Sequence, residues 1–171
     1  MPISLPKVRR EPVSFPRDFR FGVADADLQV IGEDHTIAEE GSEPTMWLNF
    51  TRTRNMPTTG PGIDRYHRWR EDIEHLQRLG VRHYRTSVSM ARTLTRDGGV
   101  NEKGVEWYKR YFAALKDSGI SVYATLYHWE LPQYLNEARE VMGLGFKEIP
   151  RPQETVTLRM PSRIRHFVRR N

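Results

Sequence analysis

His128 and Trp129 stand side by side in the run Thr125-Leu126-Tyr127-His128-Trp129-Glu130-Leu131-Pro132-Gln133. An imidazole supplies a hydrogen-bonding nitrogen and an indole supplies a flat apolar face, the pair of features a sugar ring needs. A His-Trp pair is commoner in a satisfied core than in a site, so its placement decides its meaning. The apolar, alternating run Ile120-Ser121-Val122-Tyr123-Ala124 before it reads as a strand, and Pro132 stops further pairing. Two more polar residues follow strand-like runs: Gln29 comes after the first, and Arg85 lies toward the end of the second. A loop glutamine and a structural ion pair are the bland readings of those two.

The elements that position these residues alternate. A short strand over residues 19–24 leads into a polar connection over 25–61, a length that points to function or disorder. Asp64 is a candidate N-cap for a helix carrying Tyr66, Trp69, Ile73, Leu76 and Leu79 on one stripe, stopped by Gly80. Arg68, Arg70, Glu71, Asp72, Glu74 and Arg78 would form its solvated face. A strand over 81–89 puts Tyr84, Thr86 and Val88 on one face and His83, Arg85 and Ser87 on the other. Asn101 caps a second helix with Val105, Tyr108, Phe112 and Leu115, ended by Gly119. A β–α–β–α–β order with short αβ loops predicts parallel strands, whose carboxyl ends are where ligands bind. Gln29, Arg85, His128 and Trp129 are then predicted to gather at one rim.

Composition narrows the classes. The 171 residues can bury a core, and the absence of cysteine excludes disulfides, thiolate metal sites and a cysteine nucleophile. No metal or cofactor is expected. The net charge of +5 resides wholly in residues 151–171, which carry six Arg and one acid, so the first 150 residues balance. A neutral body lacks the footprint of a phosphate-binding surface, and no nucleic acid is expected as partner. No apolar run approaches the roughly 18 residues of a membrane span, and the start shows no signal-peptide core; the expected location is cytoplasmic.

With those positions in view, the chain resembles glycoside hydrolase family 1, the β-glucosidase family, over about residues 15–133. Phe15-Pro16-Arg17-Asp18-Phe19-Arg20-Phe21-Gly22-Val23-Ala24 resembles the family's opening signature, and Gln29 falls on its sugar-binding glutamine. Asp64-Arg65-Tyr66-His67-Arg68-Trp69-Arg70-Glu71-Asp72-Ile73 resembles the first barrel helix, and Leu79-Gly80-Val81-Arg82-His83-Tyr84-Arg85 the second strand. Val100-Asn101-Glu102-Lys103-Gly104 and the run 125–133 complete the ordered set. The resemblance implies an α/β fold, a partial (β/α)8 TIM barrel of three βα units. It implies that Gln29, His128 and Trp129 bind a β-linked glycoside, with Arg85 supporting the nucleophile. Expected divisions are a basic leader over 1–14, a barrel part over 15–136 and an Arg/Pro-containing tail over 137–171.

Departures accompany the match. Leu28 stands where an aromatic is usual, Ile31 where a glutamate is, Met90-Ala91 for Trp-Pro, and Asp25 and Asp27 replace small residues. Retaining glycosidases use two carboxylates about 5–5.5 Å apart. The family's Thr-x-Asn-Glu-Pro motif and its second glutamate motif are both absent here, Glu130 and Glu102 being no substitutes. A chain truncated by a frameshift or an interrupted gene, inactive alone and marginally stable because a barrel needs about 250 residues, is one expectation. A non-catalytic carbohydrate- or partner-binding remnant is a second. A basic-tail module for anionic partners is a third.

Overall fold

The computed structural model describes residues 14–141. The leader expected over 1–14, Ser14 apart, lies outside the described residues, as does the tail from 142 onward with the amphipathic helix expected around Ile164, Phe167 and Val168.

Three parallel strands, β1 (Val23–Ala24), β2 (His83–Ser87) and β3 (Ser121–Thr125), lie in the order β1-β2-β3. Val23 aligns with Tyr84, and β2 pairs with β3 from His83↔Ser121 through Ser87↔Thr125. The first strand is shorter than expected, since residues 19–22 precede the ladder. Gly22 nevertheless packs so closely on β2 that a Cβ there would lie 2.3 Å from the His83 carbonyl oxygen.

The polar connection is not irregular. It folds into α1 (Asp27–Val30), α2 (Glu33–Glu40) and α3 (Met46–Thr53), the last capped by the Thr45 hydroxyl, which accepts the Leu48 N–H. α4 (Arg65–Arg78) crosses from β1 to β2. Asp64 does not cap it with its side chain; the residue has a left-handed backbone (φ 56°), and its carbonyl accepts the Arg68 N–H at 3.0 Å. Leu79 lies one residue beyond the last turn and is 76% exposed, so it leaves the expected stripe. Asp72 also departs from the solvated face, because it accepts a 2.8 Å bond from the buried Arg65 Nε.

After β2 comes the short α5 (Met90–Thr93), then α6 (Glu102–Asp117). Asn101 caps α6 as expected, its Oδ1 accepting the Lys103 N–H at 3.2 Å. α7 (Gln133–Val141) follows β3 and runs through the boundary placed at 136. The core lies between the sheet and the helix layer. Ile31, Trp69, Ile73, Tyr84, Trp107, Tyr108, Tyr111, Phe112, Leu115 and Ile120 fill it. Tyr84 faces this core, so the two-residue alternation of β2 turns Arg85 to the opposite face.

Candidate functional site

Parallel pairing sets Arg85 opposite Ala24 on one side and Tyr123 on the other. From there its Nη1 donates to the Asp25 carbonyl at 3.1 Å and to His128 Nδ1 at 3.2 Å. A guanidinium can only donate, so Nδ1 must be the acceptor nitrogen of a neutral imidazole. The remaining hydrogen of His128 therefore sits on Nε2. Arg85 thus fixes the tautomer and ring orientation of His128, leaving Nε2–H as its donor.

His128 follows β3 by three residues, and the turn that carries it is clamped from α3. Trp129 has a left-handed backbone (φ 69°), a strained conformation for a residue with a Cβ. Its carbonyl accepts the Trp47 indole N–H at 2.7 Å. Met46 N–H donates to Leu131 O and Gln133 N–H to Pro44 O, each at 2.8 Å. Held in this way, the Trp129 side chain stands 69% exposed. Gln29 lies on α1, after β1, and is exposed. Arg85 and His128 are therefore in contact, while Gln29 reaches the same end of the sheet by way of α1; among the described residues its side chain bonds to neither.

Asp25 and Asp27 turn inward. The Asp25 carboxylate accepts from Arg65 Nη1 and Tyr84 OH, both at 2.6 Å, and from Thr86 Oγ1 at 2.7 Å. Asp27 belongs to a buried charge cluster beneath the rim. Arg92, 2% exposed, grips Glu40 with two bonds of 2.9 and 2.7 Å and reaches Asp27 at 3.4 Å. Its guanidinium lies 4.3 Å from the Trp107 ring centroid and 4.4 Å from that of Tyr108. Glu33 accepts the Thr45 N–H at 2.8 Å, and Glu130 is 2% exposed with no well-formed protein hydrogen bond to either oxygen. A cavity of about 10 Å³ lies among Asp27, Glu33, Arg92 and Glu130.

Arg92 is shared by the buried Asp27 and Glu40, with Glu33 and Glu130 close by, so these carboxyl groups cannot all ionise cheaply. Burial first, and the Asp27 carboxylate second, push Glu130 up to about 8. Burial pushes Asp27 and Glu33 the same way. The unfolded chain releases the Glu130 proton near pH 4.5, whereas the folded chain keeps it to about pH 8. The folded state binds more protons between those values, so stability should fall as pH rises through that window. Each tenfold change in proton affinity is worth about 1.4 kcal/mol, so the fall amounts to roughly a few kcal/mol. Glu130→Gln is expected to remove much of it. Urea midpoints at about pH 5 and about pH 8.5 check this, and an equally steep fall in the variant would assign the titration elsewhere.

Sequence reading missed Arg92, Glu40 and Trp47. A charged residue in a short segment between elements carries no periodic signal of burial, and only the departure at Met90-Ala91 drew attention to that stretch.

The geometry has counterparts. A family model described as Glycosyl hydrolase family 1 matches residues 11–144. The bifunctional beta-D-glucosidase/beta-D-fucosidase of Bifidobacterium breve is 41% identical over 125 residues, covering 71% of this chain and 26% of that protein. Beta-glucosidase A of Thermotoga maritima is 39% identical over 123 residues, covering 69% of this chain and 27% of that protein. The chain therefore spans about a quarter of the length of these relatives. Among solved structures, the AHE enzyme of Alicyclobacillus herbarius superposes with a TM-score of 0.69 at 38% identity, covering 75% of this chain and 29% of that one. A GH1 beta-glucosidase of the fungus Humicola insolens in complex with glucose gives 0.67 at 32% identity, covering 74% and 27%.

Proposed function

The chain belongs to glycosyl hydrolase family 1, and from that membership we propose that it forms the sugar-holding edge of a retaining β-glucosidase-type site without the catalytic carboxylate pair. Its fold is a portion of a (β/α)8 barrel, three parallel strands with their helices. His128 Nε2–H and the Gln29 amide would bond hydroxyls of a β-linked glycoside, and Trp129 would supply an indole donor and an apolar wall. The Arg85–His128 contact carries this reading, because it orients an imidazole donor at the carboxyl end of parallel strands. Arg85 would also hold a nucleophilic carboxylate ionised where one is brought to it. Among these 171 residues neither the Asn-Glu-Pro motif nor the family's second glutamate motif occurs, so on this reading these residues by themselves would lack both the acid and the nucleophile of the double displacement.

The expected results are no detectable hydrolysis of a chromogenic β-glucoside by the rigorously pure chain, together with a tryptophan-fluorescence change at sugar concentrations of order millimolar, about −4 kcal/mol of binding. The double variant His128→Ala/Trp129→Ala should lose that change through the lost donor and wall; because Trp129 is itself a reporter, isothermal titration confirms the loss. Turnover by the pure chain, or binding that survives the double variant, would overturn the proposal.

A non-catalytic remnant that docks a protein partner is the second reading. Phe15, Phe19 and Phe21 favour it: they are 51%, 48% and 65% exposed and pack against one another at 4.6–4.9 Å between ring centroids. Sugar binding lost in the His128→Ala/Trp129→Ala variant separates the first reading from this one.

A further inference from the structure

His35 on α2, Asp64 just ahead of α4, and His67 in the first turn of α4 converge on the helix side of the molecule. Asp64 Oδ1 lies 2.8 Å from His67 Nδ1 and 3.6 Å from His35 Nε2. Donor atoms of the three residues all fall within 4.8 Å of one another. Glu39, one turn beyond His35, reaches His67 Nε2 at 2.9 Å and stands 4.0 Å from His35 Nδ1. The two imidazole rings meet edge to face with centroids 4.8 Å apart.

The backbone holds these side chains together independently of their own contacts. Gly32, which opens α2, lies so close to the segment ahead of α4 that a Cβ there would sit 2.5 Å from the Pro61 carbonyl oxygen. Tyr66 N–H donates to Ile31 O at 3.1 Å, and Asp64 N–H to Pro61 O at 2.8 Å. The left-handed backbone of Asp64 turns its carboxylate away from the capping position and toward the imidazoles. From α6, Lys103 Nζ donates to the Glu39 carbonyl at 3.2 Å and fixes the end of α2. Donors on two helices are thus pre-positioned, with side chains about a third to a half exposed, which leaves a path for an ion.

We propose that His35, Asp64 and His67 bind a divalent transition metal of the zinc type, with a water completing the fourth position. Zinc bonds to imidazole and carboxylate of about 2.0–2.2 Å put tetrahedral ligand atoms roughly 3.3–3.5 Å apart. The observed 2.8 and 3.6 Å separations from Asp64 bracket that spacing, and with all three donor atoms within 4.8 Å of one another, rotation of the exposed imidazoles would close the set around an ion. Two imidazoles select zinc, cobalt, nickel or copper over calcium and magnesium, which ask for oxygen shells. A hydrogen shared between His67 and Asp64 explains their contact alone; it does not explain why His35 Nε2 also faces the same Asp64 oxygen. No metal motif reads from the sequence, because His35 and Asp64 lie 29 positions apart. The metal would tie the connection after β1 to the first crossover helix.

The test uses the full chain, stripped of metal by a chelator. Titration with zinc alone is followed by calorimetry, and cobalt loading by visible absorption. The expected result is about one equivalent of zinc and the intensified visible bands of four-coordinate cobalt. Affinity should fall at least about tenfold in His35→Gln and again in His67→Gln, since ligand loss must cost as much as loss of an outer partner. His75→Gln, an exposed histidine elsewhere on α4, should bind like the parent. Circular dichroism of His35→Gln confirms that the fold persists. Affinity unchanged in His35→Gln, an equal loss in His75→Gln, or cobalt bands of a six-coordinate ion would each overturn the proposal.

Discussion

Arg92→Met is expected to remove about 3–5 kcal/mol of stability, a large part of what holds a domain of this size together. Methionine keeps an unbranched stem against Trp107 and Tyr108, so the lost volume is small. What disappears is the charge. Glu40 and Asp27, whose side chains are 2% and 4% exposed, would be left facing one another without the cation that both address. Their alternatives are to take up protons or to let water in, and each costs packing. Urea unfolding of the parent and the variant gives the difference directly. The partner substitution sharpens it: Arg92→Met/Glu40→Met should be closer to the parent than Arg92→Met is, because it removes one of the buried charges the single change strands. A single variant within about 1 kcal/mol of the parent would show that the cluster does not hold the fold.

Gly104→Ala is the second large effect, and its sign is informative. Gly104 lies inside α6, where alanine should favour the helix by about 1 kcal/mol. Packing rules otherwise. A Cβ at this position would sit 2.0 Å from the Arg92 carbonyl oxygen and 2.9 Å from its carbonyl carbon, both backbone atoms that no rotamer change can move. α5 would have to back away from α6, carrying Arg92 off Trp107 and loosening its grip on Glu40. Overpacking of this kind costs about 1–3 kcal/mol or more. A thermal midpoint lowered by several degrees is expected, and a midpoint raised by the substitution would mean that the two helices are not so closely apposed in solution.

Both effects turn on Arg92, in a stretch where the sequence was hard to read. The long, periodic elements were legible because a stripe such as Trp69 with Ile73, or Tyr108 with Phe112 and Leu115, has only one way to be buried. Asn101 was legible for the same reason, since a capping side chain acts on residues two positions away. Chain direction alone suggested a common end for Arg85 and His128, since parallel strands deliver their carboxyl ends to one side; the hydrogen bond between them was not legible. The connection over 25–61 was not legible. Its helices are four and eight residues long, and α2 buries Glu33, Thr36 and Glu40, so its hydropathy shows little helical period and the segments are too short to announce themselves. The roles of Asp25 and Asp27 escaped for a related reason. A carboxylate beside an expected pocket reads as a pocket wall, and only the position of Arg65 or Arg92 reveals that it points inward. Leu79 erred in the opposite direction, its spacing extending a stripe one residue beyond the point where the helix ends.

Among the described residues the spatial order β1-β2-β3 repeats the order of synthesis, with no strand inserted between two earlier ones. As the nascent chain leaves the ribosome, each new strand finds its neighbour already emerged and no later segment must thread into a formed ladder. Assembly can therefore proceed vectorially, one crossover at a time, at the pace of translation. On that route α4 and α6 arrive between strands and can shield one face of the growing sheet before the next strand docks.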